Sequence, residues 1–346
     1  MFVRPISPSP RPRALGLWLL FVAALVFSIV VVGGITRLTE SGLSITEWKP
    51  IRGIIPPLTP EQWQAEFEGY KAIPQYAAFN RGMTVDAFKH IYFWEYLHRL
   101  LARAIGTVLG LVLLAFWWRR AIPAGYGSRI VAILALGGLQ GVIGWWMVAS
   151  GLQYRTEVSH IRLAIHLLAA LLIYSFLIWT ALDLLSGGSG TRRPRGLAIA
   201  ALGALTVQLA LGAFTAGLRA GYAFSTWPKM GEEWFPGGGW MDAQGIVTNL
   251  TSNPIVVQFT HRWWAWLVAL LAVSLAARTR RAAPAQAAAV LVAIVLQITL
   301  GIYTLLTGVA LPIAVAHQAV AALLLAAIVW AAHADAITGA ANHRVL

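Results

Sequence analysis

Eight long apolar runs divide this chain of 346 residues. Each run is close to or longer than the ~20 residues that a helix needs to cross a lipid bilayer. The runs cover residues 14–36, 96–118, 128–149, 159–183, 196–218, 256–277, 285–307 and 311–332. Apolar residues make up 58% of the chain and charged residues only 11%, a composition that excludes an ordinary soluble domain. The sequence therefore predicts an all-α polytopic membrane protein with eight transmembrane helices.

Arginine clusters between the apolar runs predict the orientation of the chain. They comprise Arg4, Arg11 and Arg13; Arg119, Arg120 and Arg129; Arg192, Arg193 and Arg195; and Arg278, Arg280 and Arg281. With eight spans all four clusters lie on one side, and of the 13 acidic residues only Asp183 and Asp335 fall there. The positive-inside rule identifies that side as the cytoplasm, so both termini are predicted to be cytoplasmic. The net charge of +13 does not indicate a nucleic-acid partner, because the clusters form no basic face.

The second half of the chain repeats motifs of the first half in the same order. The matching pairs are 42–48 with 221–227, His98-Arg99 with His261-Arg262, Gln140 with Gln297, Gly144 with Gly301, and His166 with His317. The sequence therefore predicts two tandem four-helix bundles related by a pseudo-two-fold axis along the membrane normal. The predicted segments are a cytoplasmic N-terminal segment (1–13), an N-terminal bundle (14–183) with a large outer loop (37–95), a cytoplasmic linker (184–195), a C-terminal bundle (196–332) and a cytoplasmic tail (333–346).

Four histidines form a repeated set in the predicted helices: His98, His166, His261 and His317. We expect each within the first two turns of a helix that starts at the outer face, so that the two of each half face each other there. One intramembrane histidine often serves only as a helix–helix hydrogen bond, but four at equivalent positions argue for a shared role. Zinc usually takes four ligands, or three with water, and the chain contains no cysteine. Two imidazoles from facing helices instead fit axial ligation of a haem iron, which predicts a bis-histidine haem in at least one half.

Two arginines directly follow histidines of this set, Arg99 after His98 and Arg262 after His261. Long basic side chains near a helix end often extend to the membrane interface, where the charge remains hydrated. An arginine at the outer edge of a haem also suits ion pairing with the propionates. The pattern leaves both interpretations open.

The two halves differ one helical turn before the first histidine, where Glu95 precedes His98 and Gln258 occupies the equivalent position. The two side chains have nearly the same shape, but only glutamate exchanges protons, and at i, i+3 spacing Glu95 shares a face with His98. We interpret Glu95 as a proton-handling group beside a reactive haem edge, the alternative being an interfacial carboxylate in solvent. His90 and His160 occur only around the first half, and they either assist there or make loop contacts.

Five motifs occur in a fixed order along the chain. They are Gly-Gly-Ile-Thr-Arg-Leu-Thr-Glu-Ser-Gly-Leu-Ser-Ile at 33–45, Phe-Asn-Arg-Gly-Met at 79–83, Glu-Tyr-Leu-His-Arg at 95–99, Ser-Thr-Trp-Pro at 225–228 and Phe-Thr-His-Arg at 259–262. Together with two four-helix repeats, they closely resemble the haem A synthase family over residues 15 to 332. No single motif would be enough to identify the family, but the set of five in this order is specific to it.

The resemblance implies that the chain oxidises the C8 methyl group of haem O to a formyl group by two successive hydroxylations, giving haem A for cytochrome c oxidase. It implies a substrate haem at His98 and His166 with Glu95 at the reaction site, and a haem b cofactor whose iron is held by His261 and His317. It further implies haem O synthase and a membrane electron donor as partners, and the bacterial inner membrane as location. The sequence leaves the oligomeric state open, with a homo-oligomer as one alternative. Without cysteine, the chain resembles the proteobacterial and mitochondrial type, in which no loop dithiol takes part.

A di-haem b-type electron-transfer cytochrome is the alternative function. It explains the four histidines equally well. It does not explain the contrast between Glu95 and Gln258 or the large outer loops. A transporter is a weaker alternative, because the helices lack paired charges and broken central segments.

Overall fold

The computed structural model of the protein describes residues 10–48, 52–188 and 192–342, without the side chains of 339–342. In this part of the chain the regular elements are helices, and no β-strand forms. The α-helices are α1 (Pro12–Leu38), α2 (Pro60–Lys71), α3 (Pro74–Phe79), α4 (Val85–Trp118), α5 (Gly127–Ala149), α6 (His160–Leu185), α7 (Gly196–Gly217), α8 (Gly245–Ser252), α9 (Pro254–Thr279), α10 (Pro284–Leu306) and α11 (Leu311–Asn342). Arg4 of the predicted cytoplasmic clusters lies outside the described residues.

Eight of the described helices are long and apolar enough to cross a membrane. They are α1, α4, α5, α6, α7, α9, α10 and α11. Pro12, Pro254 and Pro284 occupy first helical positions, where the N–H that proline lacks has no partner within the helix. The side chain of Asn253 caps α9 by accepting a hydrogen bond from the backbone N–H of Ile255 at 3.0 Å. The prediction of an all-α, multi-pass membrane protein is confirmed.

The second membrane helix, α4, begins at Val85, well before residue 96, where its apolar run starts. The hydroxyl of Thr84 caps it by accepting a hydrogen bond from the backbone N–H of Ala87 at 3.2 Å. Its first turns are amphipathic, and the buried ring of Phe88 packs 5.4 Å from that of Tyr70 in α2. Roughly three and a half turns of α4 therefore precede His98, and the expectation that this histidine lies within the first two turns is wrong. The predicted outer loop 37–95 likewise contains α2, α3 and the start of α4.

Each half of the chain forms a closed ring of four membrane helices. In the first half, α1 and α5 each pack against both α4 and α6. In the second half, α7 and α10 each pack against both α9 and α11, so equivalent helices have equivalent neighbours. The halves join where α6 contacts α7 and α11 and where α1 contacts α11. The pseudo-two-fold axis stays a prediction, which this common order of neighbours supports.

The two acidic residues of the predicted cytoplasmic side are both paired with arginine. Asp183 is fully buried near the end of α6, and its carboxylate lies 3.0 Å from Arg129 and 3.3 Å from Arg192. Asp335 in α11 pairs with Arg278 of α9 at 2.8 Å. These ion pairs connect neighbouring helices at the end of each bundle that lies away from the four histidines.

Candidate functional site

Each of the four histidines packs against a glycine of a neighbouring membrane helix. A Cβ atom added to the glycine would lie about 3 Å from the Cε1 atom of the ring in every case. The distances are 2.9 Å for Gly33 and His98, 2.9 Å for Gly144 and His166, 3.1 Å for Gly212 and His261, and 2.9 Å for Gly301 and His317. A ring that contacts helix backbone in this way is held in one orientation by packing. The four histidines therefore pack in equivalent ways, each with its ring fitted closely against a glycine.

The two histidines of the second half are spaced as two imidazoles that hold one iron between them would be. The ring centres of His261 and His317 lie 6.5 Å apart, and the ring planes are perpendicular at 88°. A metal–imidazole bond of about 2 Å on each side, plus about 1 Å from nitrogen to ring centre, separates the centres of two trans rings by about 6 Å. Nδ1 of both rings is buried without a hydrogen-bond partner among the described residues. These donors fit axial ligation of a haem.

The first half carries the matching pair, His98 on α4 and His166 on α6. Nδ1 of His98 is likewise buried and unpartnered within the described chain. In residues 10–48, 52–188 and 192–342, no group of three or more histidine, aspartate or glutamate side chains could hold a metal ion together. In the first half, His98 and His166 are the imidazoles at the positions equivalent to His261 and His317.

Glutamines from neighbouring helices contact three of the histidines. Nε2 of Gln140 lies 3.1 Å from Nδ1 of His166 and donates to the backbone oxygen of the same residue at 2.8 Å. Gln297, its repeat equivalent, lies 3.4 Å from Nε2 of His317. Gln208 donates to the backbone oxygen of His261 at 3.0 Å. The contacts of Gln140 and Gln297 with the histidines were not predicted from the sequence, although the equivalent positions of the two glutamines in the repeat were a signal for them.

Glu95 is buried, with 3% of its surface exposed, and its carboxylate accepts hydrogen bonds at both oxygens. Oε2 accepts from the hydroxyl of Ser44 at 2.7 Å and from the backbone N–H of Ile45 at 2.8 Å. Oε1 pairs with the guanidinium of Arg99 at 2.7 Å. The carboxylate therefore ties the segment after α1 to α4, and it does not lie in bulk solvent as the alternative interpretation required.

Arg99 and Arg262 make equivalent contacts in the two halves. Arg99 donates to the backbone oxygens of Ile45 at 2.8 Å and Glu47 at 3.1 Å. Arg262 donates to the backbone oxygens of three residues that follow α7: Phe224, Thr226 and Lys229. The guanidinium of Arg99 thus holds the segment after α1, and that of Arg262 holds the segment after α7, so neither side chain extends freely.

The position of Gln258 shows how the second half differs. Its amide donates to the backbone oxygen of Phe224 at 3.0 Å, where the carboxylate of Glu95 accepts from the equivalent Ile45. Ala223 stands at the repeat position of Ser44, so the second half also lacks the hydroxyl. The second half therefore has no equivalent, among the described residues, of the hydrogen bond between Ser44 and the carboxylate of Glu95.

His90 and His160 are the other two histidines that the sequence marks as candidates. His90 is exposed on the early part of α4. His160 begins α6, and its Nε2 lies 3.2 Å from the hydroxyl of Ser252 while its ring packs edge-on against Phe214 of α7. His160 thus contacts the second half of the chain, which supports the contact role left open by the sequence.

Comparison with known proteins identifies the family of this chain. The model of a family of cytochrome oxidase assembly proteins, COX15-CtaA, matches residues 16–329. A haem A synthase of Rhizorhabdus wittichii is 68% identical, and the alignment covers 96% of this chain and 97% of the relative. Haem A synthases of Sphingopyxis alaskensis and Novosphingobium aromaticivorans are each 51% identical, with 98% and 94% of this chain covered and 96% and 97% of the relatives. The chain therefore belongs to the haem A synthase family.

Proposed function

We propose that this protein oxidises the C8 methyl group of haem O to a formyl group, and that the reaction takes place in the first half of the chain. The observation that carries the proposal is the contrast between the two bundles. Both contain two histidines packed against glycines, but at the equivalent positions only the first has a buried carboxylate that is hydrogen-bonded to a hydroxyl, Glu95 with Ser44. The name of the relatives supports haem A as the product. The contrast between the halves supports the first half as the place of the reaction.

His98 and His166 would bind the iron of the substrate haem from two facing helices, and so fix which edge of the ring lies near Glu95. Their packing against Gly33 and Gly144 limits rotation of the imidazoles. Two successive hydroxylations convert the methyl carbon to a hydrated aldehyde, which loses water to give the formyl group. Each hydroxylation replaces a hydrogen on the carbon and moves a proton, so a proton-exchanging group is needed beside the substrate. Oε2 of Glu95 would hold that proton, and the Ser44 hydroxyl at 2.7 Å is the first group able to pass it on.

His261 and His317 would hold a haem b cofactor, as their ring separation of 6.5 Å supports. A bound haem b supplies one-electron redox chemistry. Gln258, unlike a carboxylate, cannot take up a proton there, so this half would carry electrons without modifying its haem. The packing of α1 and α6 against α11 brings the two bundles into direct contact.

Location and partners follow from the same proposal. The protein would lie in the bacterial inner membrane with both termini in the cytoplasm, because the ion-paired arginines Arg129, Arg192 and Arg278 all lie at the end away from the histidines. Haem O synthase would supply the substrate and a membrane donor would exchange electrons with the haem b. A homo-oligomer is compatible with the exposed apolar faces of the membrane helices.

The test is the identity of the haems bound when the protein is produced in a host that makes haem O. Extracted haems are separated by chromatography and identified by pyridine haemochrome spectra. The proposal predicts haem A, or farnesylated hydroxymethyl haem, together with haem b, and loss of the oxidised haems in His98→Ala with haem b retained. Haem b alone, in a protein that has received haem O, would instead indicate a di-haem cytochrome.

A further inference from the structure

A polar pocket opens at the end of the first bundle where the histidines lie. It has a volume of about 370 Å³ and is formed by the connection between α5 and α6. Two arginines, Arg155 and Arg162, line it together with Tyr154 and the hydroxyl-bearing Ser150 and Ser159. Its volume lies at the lower end of the range of about 300–1,000 Å³ that is typical of ligand pockets, and its lining is polar and basic, which suits the charged arms of a larger molecule.

Arg162 connects this pocket to the histidine site. It lies four residues before His166 on α6, so both side chains share a face and Arg162 is one turn nearer the helix start. Its guanidinium donates to the backbone oxygen of Trp146 at 2.8 Å and lies over the indole ring of the same residue, 4.5 Å from the ring centre. Trp146 follows closely after Gly144, the glycine against which His166 packs. The pocket therefore borders the outer edge of the space between His98 and His166.

Arg99 and Arg262 each direct donors at two or more backbone oxygens of the segment that they hold. Arg162 donates to one backbone oxygen, that of Trp146, and also lines the pocket, as Arg155 does and Arg99 does not. A haem bound between histidines near the outer face keeps its ring in the apolar slot and directs its carboxylates toward the nearest water. A fork of N–H donors at that edge matches a carboxylate in both shape and charge. Arg155 and Arg162 present such donors where Arg99 does not.

The arginine-bearing connection distinguishes the first half from the second. At the repeat position of Arg162 stands Ile313. The connection between α10 and α11 is a tight turn over 307–310, whereas the connection between α5 and α6 runs from 150 to 159. A longer, arginine-bearing connection beside the first histidine pair suits a ligand that must be recognised and exchanged, as a substrate is.

We propose that Arg155 and Arg162 bind the propionate carboxylates of the substrate haem. This inference rests on the proposed function, which places the substrate between His98 and His166. The chemistry that the pocket recognises is an oxyanion, and a phospholipid phosphate at the outer leaflet is a second source of the same chemistry. The experiment must therefore separate the two sources.

The experiment compares iron protoporphyrin IX with its dimethyl ester, which lacks only the two carboxylate charges. Each is titrated into the full-length protein purified with haem b in its second half, and binding is followed by the low-spin absorbance change. The wild-type protein should bind the free acid about 10-fold or more tightly than the ester, because a hydrogen bond to a charged group contributes about 1.5–3 kcal/mol. Arg155→Ala combined with Arg162→Ala should bind both forms equally, and each single variant should lose part of the preference. Arg119→Ala, at the opposite end of α4, is the matched control and should keep the full preference.

Retained haem b reports that each variant is folded. A double variant that still prefers the free acid as strongly as the wild type overturns the propionate assignment. Equal binding of acid and ester by the wild type, with loss of co-purified phospholipid phosphorus in the double variant, assigns the pocket to lipid and also overturns it. If neither haem form binds in a manner that His98→Ala abolishes, the proposed function itself fails, and the propionate assignment fails with it.

Discussion

Arg219 forms an ion pair with Glu40 across the junction of the two bundles, and the two residues occupy equivalent positions in the repeat. Both also have left-handed backbone conformations, with φ of 52° and 56°. Glu157 joins the pair, because it contacts both Arg219 and Arg37. Contact between equivalent positions is expected beside a two-fold axis, where residue i of one unit meets residue i of the other. This ion pair therefore supports the predicted symmetry.

The Glu40–Arg219 pair should stabilise the junction modestly, since both side chains are about one-third exposed. Glu40→Ala, Arg219→Ala and the double variant form a cycle whose coupling free energy we expect to be about 0.5 kcal/mol. The measurement is reversible unfolding in detergent, followed by circular dichroism. A coupling free energy of zero would show that the two side chains are neighbours without stabilising each other.

The glycines that pack against the histidine rings should not tolerate substitution by alanine. In Gly212→Ala the new Cβ would lie 3.1 Å from the His261 ring, and overpacking of this kind costs about 1–3 kcal/mol. We expect a reduced fraction of low-spin haem b, measured by absorbance per protein. Gly203→Ala on the same helix is the matched control, because a Cβ there meets no atom within 4 Å. Equal haem content in the two variants would contradict the role of Gly212 in positioning the His261 ring.

Removal of either histidine of the second half should abolish the low-spin haem b. Loss of one axial imidazole in His261→Ala or His317→Ala leaves the iron five-coordinate or the site empty. His98→Ala and His166→Ala serve as controls and should retain that haem. Electron paramagnetic resonance of the ferric protein distinguishes the two spin states, and an unchanged low-spin signal in either second-half variant would refute the assignment.

The orientation of the helices can be tested with reporter fusions. Fusions at Gly125 and Gly188 should report the cytoplasm, and fusions at Gly69 and Gly238 should report the outer side, because the arginine clusters alternate with the large outer segments. Opposite results at any two positions would be incompatible with the eight-span arrangement.

Apolar length made most of the fold predictable. The run 196–218 matches α7 almost residue for residue, because a helix that crosses a bilayer must keep its apolar residues together. The start of α4 could not be found in this way, since Asp86, Lys89 and His90 make its first turns polar. Those turns are stabilised by tertiary packing of Phe88 on α2, which an apolarity criterion does not detect.

The histidine set and the contrast between Glu95 and Gln258 were predictable because the repeat exposes both. The contact of Glu95 with Ser44 was not predictable, since Ser44 lies 51 residues away and approaches only when the segment after α1 folds back. Gly33 and Gly212 stood at equivalent positions in the sequence and went unrecognised. Their role depends on which histidine of another helix packs against them.

The central claim is that oxidation is confined to the first half through Glu95. Glu95→Gln keeps the shape of the side chain, removes its proton exchange and makes this position resemble Gln258. Ser44→Ala removes a hydrogen bond to the same carboxylate at 2.7 Å but leaves the carboxylate in place, and Gln258→Glu makes the reverse change in the second half.

The decisive measurement is the haem A content of membranes from a host that makes haem O. Glu95→Gln should lower haem A by about 10²-fold or more, the usual effect of losing a general acid–base group, while haem O or a hydroxymethyl intermediate accumulates and bound haem b is unchanged. Ser44→Ala should lower haem A much less than Glu95→Gln does, because the carboxylate remains. Gln258→Glu should retain haem A formation without creating a second oxidising site. Near-normal haem A from Glu95→Gln would contradict the account and leave Glu95 as an anchor for the segment after α1.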